Sequence, residues 1–219
     1  MWGKIFGKIA PTIKHFKKCK QGFIVCAMTN TSVVGDAQTA HTVQDVADAR
    51  AHTLARLGVK NIVELCVGPS LRVLEHAYRT HGIQCWGNDI DERWRAFYPG
   101  GRWIIGDCFT ISWPEETDAV VFAPPLSRGC TGCRDDALMI DQVVPRYVDF
   151  IRALAGKNVN FAVLVLPARS LATKQDRSQL AKLEQHLLDS PGVTQVTRRE
   201  ARSGRRQIRK YVELFVCLR

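Results

Sequence analysis

The chain has 219 residues, 46% of them apolar and 24% charged. That length and balance build one domain with a core of its own and exclude a disordered or low-complexity polypeptide. No apolar run approaches the ~18 residues of a membrane-spanning helix, so no membrane partner is expected, while a formal charge of +10 attracts polyanions and makes nucleic acid the expected partner.

Residues 1–41 read as a basic N-terminal extension. Lys4, Lys8, Lys14, Lys17, Lys18 and Lys20 precede the first acidic residue, Asp36. The apolar stretch Ile24 to Met28 is too short for the core of a secretory signal, and the polar Asn30 and Thr31 keep it from extending; it reads as a strand or packed turn. A cytoplasmic location is expected, and in that reducing setting the eight cysteines remain thiols. Cys130 and Cys133 have the spacing of half a zinc site, but no second close pair completes it, so no metal is expected.

Residues 42–219 read as the second unit. Thr42 to Leu57 has the periodicity of an amphipathic helix, with Val43, Val46, Ala47, Leu54 and Leu57 on its apolar side and Gly58 ending it. Strand and helix signals then alternate. Asn61 to Cys66, Ile83 to Asn88, Trp103 to Gly106, Asp118 to Ala123 and Asn160 to Leu166 are short apolar strands. Helices are predicted over Pro69 to His81, Leu138 to Leu154 and Lys174 to Leu188. Two strands close the chain, Thr194 to Arg202 and Lys210 to Leu218, with a turn at Gly204 and no helix between them, so they are predicted to be antiparallel neighbours at the sheet edge. Alternation of this kind gives an α/β fold with a largely parallel sheet.

In open α/β sheets, ligands bind outside the carboxyl ends of the strands. The residues at those ends are therefore the candidates. The first strand runs into Cys66-Val67-Gly68-Pro69-Ser70, where Gly68 permits a tight turn. The second ends in Asn88-Asp89-Ile90, and a carboxylate there can accept both hydroxyls of a ribose. The third ends in Gly106-Asp107-Cys108-Phe109, where Asp107 can accept a hydrogen from the amino group of a base and Cys108 or Phe109 can pack beside the ring. The fourth ends in Ala123-Pro124-Pro125-Leu126-Ser127, a rigid turn with no backbone donor at either proline.

Residues 42–219 resemble the class I S-adenosylmethionine-dependent methyltransferases. The resemblance implies a Rossmann-like, seven-stranded, mostly parallel sheet with an antiparallel last strand and helices on both faces. It also implies S-adenosylmethionine as cofactor, held by Glu64, Cys66, Gly68, Pro69, Asp89, Ile90, Asp107, Cys108 and Ala123. Glu64 takes the place of the acidic residue that usually closes the first strand, and Cys66 and Ser70 stand where further glycines are usual. The two prolines are similar to those of the amino-methyltransferases of nucleic-acid bases, although Ala123 replaces the usual polar residue and Leu126 the usual aromatic one. In that comparison Pro124, Pro125 and Ser127 are the catalytic candidates, with Asp118 a further source of a polar group.

The expected function is methyl transfer to RNA or DNA. Arg128, Arg134, Arg205, Arg206 and Arg209 are the substrate-binding candidates, because a guanidinium fork suits phosphate. The alternatives are methyl transfer to a small molecule or protein, which the altered turn at Ala123 and Leu126 favours, and a non-catalytic nucleic-acid-binding module on the same fold. A dinucleotide-dependent oxidoreductase is disfavoured, since the first turn offers one glycine where that fingerprint needs three.

Overall fold

Short apolar runs separated by helices bury both faces of a central sheet, and the computed structural model of the chain has this arrangement. It describes residues 17–18, 24–25, 44–68, 71–97, 101–123, 140–154, 156–167, 173–203 and 209–219. The sheet strands are β1 (Asn61–Leu65), β2 (Gln84–Asp89), β3 (Arg102–Ile105), β4 (Ala119–Phe122), β5 (Phe161–Pro167), β6 (Val193–Ser203) and β7 (Arg209–Leu218). They lie in the order β3-β2-β1-β4-β5-β7-β6. The first five are mutually parallel, and β7 runs antiparallel to both its neighbours, β5 and β6. This is the expected seven-stranded α/β sheet with an antiparallel last strand.

The helices are α1 (Gln44–Arg56), α2 (Leu71–Thr80), α3 (Ile140–Leu154) and α4 (Lys174–Leu188). Gly58 follows α1 at φ +83°, the left-handed conformation that closes a helix. A capping box starts α4, in which Thr173 Oγ1 accepts from Asp176 N and Asp176 Oδ2 accepts from Thr173 N, each at 3.0 Å. One feature lay outside the expected elements: Glu92–Phe97 forms a 3-10 helix after β2. Ile24–Val25, in the stretch read as a strand or packed turn, is a short strand that pairs antiparallel with Lys17–Lys18.

The strands alternate their side chains between two cores. Val63, Leu65, Val120, Phe122 and Leu164 face α3 and α4, packing with Tyr147, Phe150, Leu180 and Leu183. Ile62, Ala119, Val121, Val163 and Phe215 face α1 and α2, packing with Ala51, Leu54, Leu74 and Tyr78. Helices therefore cover both faces, as expected.

The terminal hairpin forms the sheet edge as expected: its strands are antiparallel neighbours, with β6 outermost and β7 between β5 and β6. The physical reason is burial. Val212 to Val216 are all buried, whereas Thr194, Gln195, Thr197, Arg198 and Glu200 of β6 are exposed. A strand apolar on both faces needs neighbours on both sides, and a polar strand tolerates an edge.

Gly87 lets α2 approach the sheet. A Cβ at this position would stand 2.7 Å from Leu71 Cδ1, and Leu71 is a fully buried side chain at the start of α2. Gly87→Ala is expected to cost about 1–2 kcal/mol by overpacking. Urea denaturation should show a lower midpoint at an unchanged slope, and an unchanged midpoint would refute the prediction.

Candidate functional site

The carboxyl ends of β1, β2 and β3 converge on one cleft edge, and hydrogen bonds lock their loops together. After β1 the chain turns through two left-handed residues, Cys66 at φ +56° and Gly68 at φ +51°. The conformation is natural for glycine and strained for cysteine. Val67 N donates to Asn88 O at 3.0 Å, and Gly68 N donates to Asp89 Oδ2 at 2.8 Å. A Cβ built at Gly68 meets nothing within 4 Å among the described residues. Asp89 Oδ1 accepts from Asp91 N at 2.9 Å, and Asp89 O accepts from Gly106 N at 3.1 Å. The third loop is an Asx turn in which Asp107 Oδ1 accepts from Phe109 N at 3.0 Å.

Two apolar side chains stand exposed beside these carboxylates, Ile90 at 52% and Phe109 at 37%. The Phe109 ring also packs edge-on against Phe122 and Phe150, at centroid distances of 5.7 and 6.1 Å. An exposed apolar residue thus follows a carboxylate at the end of β2, and another at the end of the adjacent β3. Cys108 lies buried, and the Cys66 thiol is hydrogen-bonded to it; that contact, burial and the nearby Asp89 and Asp107 carboxylates raise the Cys66 thiol well above its ordinary pKa. The Cys66 sulfur therefore does not act as a nucleophile near neutral pH. Ala123 is half-buried at the end of β4.

Glu64 takes a different role from the one its place in the motif implied. Its carboxylate is 1% exposed and faces α1 and α2. Arg50 Nη1 donates to Glu64 Oε1 at 2.7 Å, and the Tyr78 hydroxyl donates to the same oxygen. Arg50 Nε also donates to Glu213 Oε1 at 2.8 Å, and Arg199 pairs with Glu213 Oε2. Burial raises the Glu64 carboxyl above its usual range, against the lowering effect of Arg50. Glu64 thus ties the end of β1 to α1 and α2. Asp118 is likewise remote. It precedes β4, where its Oδ2 accepts from Lys60 and Asn61 N–H at 2.8 and 2.9 Å, at the opposite end of the sheet.

Pro69, Pro124, Pro125, Leu126, Ser127, Arg128, Arg134, Arg205 and Arg206 lie outside the described residues, as do Cys130 and Cys133. Arg209 begins β7. Among the described residues no group of three or more His, Cys, Asp or Glu is arranged to hold a metal ion, and no helix is long and apolar enough to cross a membrane. Sequence reasoning gave no role to Asn88 or Arg50. The available signals were a polar residue inside a buried strand and an arginine among the buried positions of α1.

No family model matches the chain, and no curated protein matches it by sequence. Solved structures do match its fold. One is the 1,6-didemethyltoxoflavin-N1-methyltransferase of Burkholderia thailandensis, solved with 1,6-didemethyltoxoflavin and S-adenosylhomocysteine bound. It is 13% identical, with a TM-score of 0.53 over 86% of this chain and 84% of that one. A second is the methyltransferase domain of bacterial CtHen1-CN, 10% identical, with a TM-score of 0.52 over 80% of this chain and 98% of that one. A third is the N-methyltransferase NodS of Bradyrhizobium japonicum, solved with S-adenosylhomocysteine. It is 14% identical, with a TM-score of 0.50 over 78% of this chain and 85% of that one.

Proposed function

We propose that this chain, which shares the Rossmann-like fold of S-adenosylmethionine-dependent methyltransferases, is itself such an enzyme, acting on a small molecule or a protein. The observation that carries the proposal is the Asp89 carboxylate. It stands at the end of β2, braced by the Gly68 N–H, with Ile90 exposed next to it and Phe109 exposed after β3. These groups fit the cofactor: Asp89 accepts the ribose hydroxyls, Asp107 the amino group of the base, and Ile90 and Phe109 flank the ring. S-adenosylmethionine, when bound, supplies a methyl group made electrophilic by a sulfonium. The chain's own contribution is orientation of the acceptor and exclusion of water.

The choice of acceptor rests on two supports. Two arginines of β6 are committed internally: Arg199 to Glu213 and the Phe215 ring, Arg198 to Glu184 at 3.5 Å. Among the matching folds, one was solved with a small heterocycle bound. A nucleic-acid acceptor is the second reading, favoured by the net charge of +10 and by Arg205, Arg206 and Arg209 around the β6–β7 turn. Ala123 and Leu126 favour a third, non-catalytic reading. Calorimetric titration with S-adenosylmethionine tests the core of the proposal, and no saturable binding at about 1 mM cofactor would reject it. Labelled cofactor offered to small-molecule, protein, RNA and DNA fractions then tests the acceptor. Label in a nucleic-acid fraction, with binding that weakens steeply in salt, would replace the small-molecule reading; cofactor binding with no transfer would select the third.

Cofactor affinity is expected to depend on pH through Asp89. Burial raises this carboxyl above the usual aspartate range, against lowering by the Asp91 and Gly68 N–H groups. Only the ionised form accepts two hydroxyls. Affinity should therefore be constant above the raised pKa and fall as pH drops through it, beginning at a higher pH than for an ordinary aspartate, near about 3.9. Binding titrations in steps downward from neutral pH measure this, with Asp89→Asn predicted to give a flat profile. A wild-type affinity that holds steady until the protein unfolds would contradict it.

A further inference from the structure

We infer that Asn88 is a positioning residue that sets the loop carrying Asp107 and Phe109, and so confers preference for a 6-amino over a 6-oxo purine in the cofactor. The inference rests on the cofactor reading above. Asn88 is 1% exposed within β2. Its Nδ2 donates to Ile104 O at 2.9 Å and to Gly106 O at 3.0 Å, two carbonyls on one side of the neighbouring strand end. Its own carbonyl accepts from Val67 N, and the carbonyl of the next residue, Asp89, accepts from Gly106 N. One dipeptide thus ties the loop after β1 to the loop after β3.

The chemistry requires an amide. Two carbonyl oxygens facing one buried spot call for a nitrogen carrying two hydrogens, which Asn supplies and Asp, Leu or Ala do not. Its Oδ1 is buried and has no partner among the described residues. The side chain therefore leaves an acceptor unpaired in order to donate twice, and the two carbonyls dictate its orientation. The loop it holds has little other freedom. Gly106 sits at φ +145°, and a Cβ there would stand 2.8 Å from Ile111 Cγ2. The next residue is Asp107, whose carbonyl accepts from Thr110 N at 2.9 Å and from Ile111 N at 3.1 Å, closing the turn that presents Phe109. The Gly106 carbonyl belongs to the peptide unit that leads into Asp107, so the Asn88 contact fixes the direction in which Asp107 leaves the sheet.

The test compares S-adenosylhomocysteine with its 6-oxo analogue, S-inosylhomocysteine, on wild type, Asn88→Ala and Asn88→Asp. Wild type is expected to prefer the adenosine compound. Both variants should lose about 10-fold in affinity for it while holding the inosine compound within about threefold, so that the preference collapses. Should either variant fail to fold by circular dichroism, Gly106→Ala disturbs the same loop from its other side and must collapse the preference in the same way. A folded Asn88→Ala that weakens both ligands equally, or neither, overturns the inference, as does a wild type that binds both without preference. A wild type that binds neither rejects the cofactor reading itself.

Discussion

Arg50→Met is expected to destabilise the fold by about 3–5 kcal/mol, because it strands a buried carboxylate. The Arg50 guanidinium spans β1 and β7: Nη1 reaches Glu64 Oε1 at 2.7 Å and Nε reaches Glu213 Oε1 at 2.8 Å, with side chains 3%, 1% and 0% exposed. Glu213 keeps Arg199 when Arg50 is lost. Glu64 keeps only the neutral Tyr78 hydroxyl among the partners described. The deficit therefore falls chiefly on Glu64. It should shrink when Glu64→Gln is combined with Arg50→Met, since no unpaired charge then remains in the interior. Its pH dependence has a definite sign. Glu64 already has a raised pKa from burial, and losing Arg50 raises it further. The folded variant then holds a proton that the unfolded chain releases, so its deficit grows as pH rises above the ordinary glutamate range and diminishes below it. Urea midpoints of the single and double variants at two pH values measure both effects. An Arg50→Met loss below about 1 kcal/mol, or one as large in the double variant, would show that the cluster carries no such charge imbalance.

Asp89→Ala should abolish most cofactor affinity, by about 100-fold or more, while the chain still folds. Hydrogen bonds to a charged acceptor contribute about 1.5–3 kcal/mol each, and two ribose hydroxyls are at stake. The loss has a second origin, since Asp89 Oδ2 holds Gly68 N and Oδ1 holds Asp91 N. Removing both lets the loop after β1 relax. Asp89→Asn separates the two contributions. It keeps one acceptor for one of these N–H groups but presents an amide hydrogen pair to the other, so it should recover part of the stability and little of the binding. Calorimetry with S-adenosylhomocysteine measures the affinity, and thermal unfolding without ligand measures the scaffold. An Asp89→Ala variant that is folded and binds within about threefold of wild type would remove Asp89 from the site.

The strand-end positions were largely legible in the sequence because the rule that places ligands there is topological. Once Asn61–Leu65, Gln84–Asp89 and Arg102–Ile105 are recognised as parallel strands, Gly68, Asp89 and Asp107 necessarily share one end of the sheet. Glu64 was harder to place. Its spacing puts it one residue before the end of β1, but strand alternation turns it toward α1, and no local pattern tells that Arg50 and Tyr78 wait there.

Hydrophobic period and length by themselves made most of the element sequence legible, and the alternation of strands with helices implied the parallel character of the first five strands and the antiparallel hairpin. Burial of the apolar run in β7 decided that this strand enters the sheet between β5 and β6. The tertiary structure alone decided the electrostatics. Glu213 is tolerable at 0% exposure only because Arg50, 163 residues away in the chain, and Arg199, 14 residues away, arrive at its two oxygens. The same is true of Asn88, whose amide has meaning only when β3 pairs beside it and brings the Ile104 and Gly106 carbonyls within 3.0 Å. A buried polar group is defined by its partners, and partners distant in sequence are set by the folded chain, not by any local pattern.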